Sequence, residues 1–139
     1  MTTTNHKKQS AKQTDNSYSR VQPQALEVER AVLGALMIDK NAFDSISNLL
    51  RADSFYDPRN QKVFLAILKL SQKNFPVDVL SVTEQLARDG NLEEVGGPCY
   101  VTELSSRVAS SANIEYHARV IAQKAVARQL IVITSNIEG

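Results

Sequence analysis

The sequence predicts an all-α protein, a compact multi-helix head followed by one long C-terminal helix. Three observations carry this expectation. Apolar residues recur at the three-and-four spacing of a helix face in segment after segment. Aspartate, proline and glycine fall between those segments, where helix caps and stops belong. Four Phe and four Tyr, with no Trp, are too few for an aromatic-rich sandwich of sheets. At 139 residues, 42% hydrophobic and 22% charged, the chain is long enough to bury one core without disulfides or metals.

Residues 1 to 21 are mostly Thr, Asn, Gln, Ser and Lys and have too little apolar surface to offset their ordering entropy, so a disordered tail is expected there, with the domain spanning 22 to 139. Pro23 suits a first helical position, and the run to Ile38 places Leu26, Leu33, Leu36 and Met37 near the helical period, with Glu27, Glu29 and Arg30 between them. Residues 41 to 50 repeat the period with Phe43, Ile46, Leu49 and Leu50, a second, short helix. Asp57-Pro58 opens a third, because Asp can accept hydrogen bonds from the first free amides and Pro needs no amide partner. It runs to about Gln72, with Val63, Phe64, Ile67 and Leu68 inward.

Pro76 breaks the chain and Asp78 can cap the fourth helix, whose stripe is Val79, Val82, Thr83 and Leu86 before the Asp89-Gly90 stop. Gly96-Gly97-Pro98 opens the fifth, with Val101, Leu104 and Val108 on one side. Residues 113 to 138 then form one uninterrupted helix of about 39 Å. The β-branched run from Leu130 to Thr134 would suit a strand, but no neighbouring strand exists to pair with it. Ala122, Val126, Leu130, Ile133 and Ile137 share one stripe of that helix, with Ile114, Ala118, Ile121, Ala125 and Val132 close by. This face is wider than one small core needs, and Ala122, Val126, Leu130 and Ile133 are its candidates for self-association, expected as a weak dimer.

No catalytic chemistry is encoded. The G-x-x-x-x-G-K-[ST] loop that surrounds a triphosphate is absent, and five glycines at 34, 90, 96, 97 and 139 fit no dinucleotide fingerprint. Zinc needs three or four converging ligands, and His6, His117 and Cys99 are not paired at ligand spacing. Cys99 is the only cysteine and is expected to be a small, buried or half-buried residue of a helix's first turn, in a reducing compartment. The close acidic pairs, Glu27 with Glu29 and Glu93 with Glu94, do not face one another on a helix and read as solvated charge. Neither cofactor, metal nor catalytic residue is therefore expected.

Charge limits the partners. Lys7, Lys8, Lys12 and Arg20 make the first twenty residues about +3, which leaves the remainder about −2. Binding nucleic acid through a folded surface needs Lys and Arg to replace condensed counterions, and this body offers no excess of them; the basic tail could touch DNA weakly, but is expected to be a solvated leader. With neither an export signal nor about 18 consecutive apolar residues, the cytoplasm is the expected address and no membrane contact is expected.

Three segments, ALEVERAVLGALMID, PVDVLSVTEQLARDGNLEEVGGPCYVTEL and SSANIEYHARVIAQKAVARQLI, resemble the N-terminal domain of the DnaB family of replicative DNA helicases, in unbroken order from about Val21 to Glu138. The resemblance implies a helical head followed by the first arm of a hairpin, through which subunits of a bacterial ATP-dependent helicase pair into a homohexamer. It also implies docking of the primase C-terminal domain, with Tyr100, Ile131 and Ile137 as candidates. Tyr100 could equally pack in the head. Ile131 and Ile137, six residues apart, do not share one narrow stripe. ATP, Mg and most DNA contacts are expected in a motor domain that this chain, ending at Gly139, does not include. Two rivals remain by composition: a free-standing helical adaptor, and a small helix-turn-helix DNA binder built on helices three and four.

Overall fold

The computed structural model describes residues 21–138, with side chains described over 26–134, and every element among them is helical. In order these are α1 (Val21–Ile38), α2 (Ala42–Ile46), a 3-10 turn (Ala52–Ser54), α3 (Pro58–Gln72), α4 (Val79–Arg88), α5 (Leu92–Val95), α6 (Gly97–Ser106) and α7 (Ile114–Glu138). The tail expected over residues 1 to 21 lies outside the described residues except for Val21, the first residue of α1.

Helix α1 is the axis of the head and touches α3, α6 and α7. Val32, Leu33, Leu36 and Met37 are buried along it, meeting Phe55, Phe64, Ile67, Leu86 and Leu104 in one core. Each such side chain contributes about 1.5–3 kcal/mol by leaving water. Gly34 sets how closely α1 and α6 approach: a Cβ there would stand 2.1 Å from the Leu104 carbonyl oxygen and 2.6 Å from Val108 Cγ2. No side chain fits that contact without moving a helix.

The caps sit where the chain's Asp and Gly residues placed them. Asp57 accepts from the Arg59 amide at 2.9 Å, with Pro58 in the first position of α3. Asp78 and Ser81 cap α4 reciprocally, each side chain accepting from the other's amide at 2.8 and 3.0 Å. Gly96, at φ 110°, makes the left-handed turn between α5 and α6. Lys69 of α3 pairs at 3.0 Å with Asp89, just past α4.

Several boundaries differ from those expected. Helix α1 begins two residues before Pro23. Helix α2 stops at Ile46, because the amides of Leu49 and Leu50 both turn back to the Ile46 carbonyl and bring Leu50 into the core through a turn instead. The four-residue α5 is too short to display a period, and Val108 packs half-buried beyond the end of α6. The run from Leu130 to Thr134 is helical, as its lack of a pairing strand required. Among the described residues no helix is long and apolar enough to cross a membrane.

Candidate docking surface

Helix α7 has 25 residues, about 37 Å of length. Ile114, Ala118 and Ile121, at helical spacing, are buried against the head. Ala122 and Ala125 are half-buried. Beyond them Val126, Leu130, Ile131, Val132 and Ile133 are all more than half exposed. Scattered apolar residues are ordinary on a surface, but five within eight positions of one helix leave this half of α7 apolar on several sides, and exposed apolar surface of that density marks contact sites.

The exposed half of α7 borders the head across a cleft of about 470 Å³, whose walls include Phe55, Tyr56 and Gln61 on one side and Ala125, Val132 and Ile133 on the other. Arg128 spans it. Its Nη2 donates to the Ser54 carbonyl at 2.8 Å, and its guanidinium lies 5.4 Å from the centre of the Tyr56 ring.

Beneath this cleft lies a polar cluster that sequence reasoning assigned otherwise. Glu29 was expected to be a solvated charge, yet it is 1% exposed. Its carboxylate accepts from the Tyr56 amide at 2.5 Å, the Asp57 amide at 3.3 Å and the Asn60 side chain at 2.9 Å, so one acid satisfies three donors at the entry to α3. Burial raises the Glu29 pKa, and these hydrogen bonds and the Arg128 charge only partly offset it. The signal was present in the sequence: Glu29 stands three residues after Leu26 and four before Leu33, on the apolar stripe.

Tyr100 joins the same cluster. It is buried, its hydroxyl donates to Asn60 Oδ1, and the Arg59 guanidinium lies 4.7 Å from its ring centre. Of the other partner-facing candidates, Ile131 is 65% exposed, whereas the side chain of Ile137 lies outside those described. The self-association candidates divide, with Ala122 half-buried and Val126, Leu130 and Ile133 exposed. Cys99, expected to be at least half-buried, is exposed. His117 is half-buried with its ring 5.7 Å from that of Tyr116, and no group of metal-ligating side chains converges among the described residues.

The described residues form a small helical head that extends into a helix with an uncovered apolar half. Residues 21–123 match the DnaB-like helicase N terminal domain, and the chain belongs to that family. Its relatives include the replicative DNA helicase DnaB of Rhodothermus marinus, 50% identical over 115 residues that cover 83% of this chain and 12% of that protein. The corresponding helicase of Geobacillus stearothermophilus is 42% identical over 118 residues, 85% of this chain and 26% of the relative. The chain thus spans about a quarter or less of these relatives' length. The crystal structure of the N-terminal domain of DnaB helicase from Mycobacterium tuberculosis has a TM-score of 0.78 and 36% identity, covering 81% of this chain and 78% of that one. The equivalent domain from Helicobacter pylori has a TM-score of 0.72, 84% and 90% coverage and 23% identity, a likeness of fold alone.

Proposed function

We propose that this domain is the non-catalytic oligomerisation and primase-docking module of a bacterial replicative ATP-dependent DNA helicase. The observation that carries this reading is the exposed apolar half of α7, from Val126 to Ile133, beyond the part of the helix that is buried against the head's core. Interactions with primase are described for the Helicobacter pylori domain, which shares this fold. ATP, Mg and the principal DNA contacts belong to a motor domain beyond this one, the assembled form is a homohexamer, and the site of action is the cytoplasm.

Two roles fall on different residues of α7. Val126, Leu130 and Ile133, with Ala122 at the edge of the head, form the stripe through which two copies pair. Ile131, turned about 100° from Leu130, faces the primase, and Ile137 is a separate candidate for that contact. Tyr100 acts from inside the head by holding Arg59 at the surface.

Tyr100→Ala, Ile131→Ala and Ile137→Ala, each titrated against the C-terminal domain of the cognate primase, test the docking face. At least one should weaken binding by roughly tenfold, about 1.4 kcal/mol, because truncating an anchor in a desolvated contact costs far more than truncating a rim residue. If the full-length helicase binds primase and all three substitutions leave the affinity intact, the docking face is wrong.

A further inference from the structure

Between α1, the start of α3 and α6 lies a small pocket of about 120 Å³, lined by Arg30, Arg59, Tyr100, Glu103, Leu104 and Arg107. Its charges are unequal. Asp57 holds Arg59 through both carboxylate oxygens, with a shortest contact of 2.9 Å, and Glu103 holds Arg107 at 2.7 Å. Arg30 forms no ion pair among the described residues, and its Nε is buried without a hydrogen-bond partner there. Three guanidinium groups therefore meet two carboxylates. Tyr100 forms the floor: burial pushes its hydroxyl pKa up, while a hydrogen bond from the Arg30 side chain and the charges of Arg59 and Arg30 pull it back.

We propose that this pocket binds a single carboxylate, the side chain of an acidic residue presented by a protein partner. A planar guanidinium fork matches a carboxylate's two oxygens, which a lysine cluster would not do. The volume accepts one such group, and the one uncompensated positive charge balances a monoanion. Nucleic acid is the poorer fit, because Asp57 and Glu103 stand beside the same arginines and would repel a run of phosphates. The site does not depend on the apolar face of α7: it supplies an anion anchor on a different part of the head.

Nuclear magnetic resonance of the arginine Nε–H groups in the full 139-residue chain tests it. N-acetylglutamate amide, inorganic phosphate and a short single-stranded oligothymidylate are titrated separately at constant ionic strength. The Arg30 signal should move saturably with the glutamate derivative, with half-saturation on the order of millimolar to ten millimolar. Arg30→Gln should abolish the response, checked against an unchanged circular dichroism spectrum. Arg107→Gln, at an exposed rim position, should weaken it about threefold and carries the test if Arg30→Gln does not fold. A linear, non-saturating response, or one unaltered in the folded variants, would overturn the site. Phosphate or oligothymidylate acting on Arg30 at lower concentration than the carboxylate would overturn the protein-partner assignment in favour of a polyanion.

Discussion

The two halves of α7 are built from the same kinds of residue and have opposite fates. Ile114, Ala118 and Ile121 are buried against the head, whereas Val126, Leu130, Ile131, Val132 and Ile133 are more than half exposed. The uncovered half is, if anything, the more apolar. Hydrophobicity along a helix thus says how much surface must be covered and not what covers it. The head shows the converse at Glu29, a carboxyl on an apolar stripe, which is buried because three donors meet it there. Composition misplaces residues in both regions, and geometry accounts for both.

The largest effect expected from this contrast lies in the covered half. Ile121→Asp forces a charge into the core, where an unpaired ion costs several kcal/mol, a large share of a small domain's stability. Urea denaturation should show loss of the cooperative transition. A fully folded Ile121→Asp protein would mean that α7 is not held by this contact.

A smaller and pH-dependent effect is expected at Glu29. Gln keeps the shape but offers one acceptor oxygen and turns an amide donor toward donors, which should cost about 1–3 kcal/mol. Because the folded pKa of Glu29 is raised above 4.5, folding takes up protons there as the pH falls. The stability that Glu29 contributes is therefore full below its unfolded pKa and is lost as the pH rises through the folded value. The gap between wild type and Glu29→Gln should be widest in acid and narrow toward neutrality. The lowered pKa values of Asp57 and Asp78 act in the opposite sense, their stability being lost on acidification, but both residues are present in each protein and largely cancel. Chemical denaturation of the pair across pH reads the gap directly, and a gap that widens with rising pH would contradict the buried, proton-binding carboxyl.

The smallest effect on folding is expected in the uncovered half. Ile133→Asp should leave the monomer within about 0.5 kcal/mol of wild type, as exposed positions usually do. Concentration-dependent sedimentation of the wild type should nevertheless be lost in the variant. If the folded variant sediments as wild type does at every concentration, the seam through Val126, Leu130 and Ile133 is not where copies meet.

What the sequence by itself determined is the local part of this protein. The starts of α3 and α4 follow from Asp57-Pro58 and Asp78, and the turn into α6 follows from Gly96, because caps and left-handed turns are satisfied by residues within a few positions of one another. The helical period likewise marked Leu33, Phe64, Ile67 and Leu104 as core. The tertiary structure alone decided the rest. The stop of α2 at Ile46, the burial of Tyr100 and Glu29, the exposure of Cys99, and the meeting of Arg30, Arg59 and Arg107 depend on which helix lies against which. A period assigns a residue to a face; only the neighbour across that face supplies the hydrogen bonds and contacts that make burying a carboxyl, or leaving five apolar side chains in water, the lower free energy.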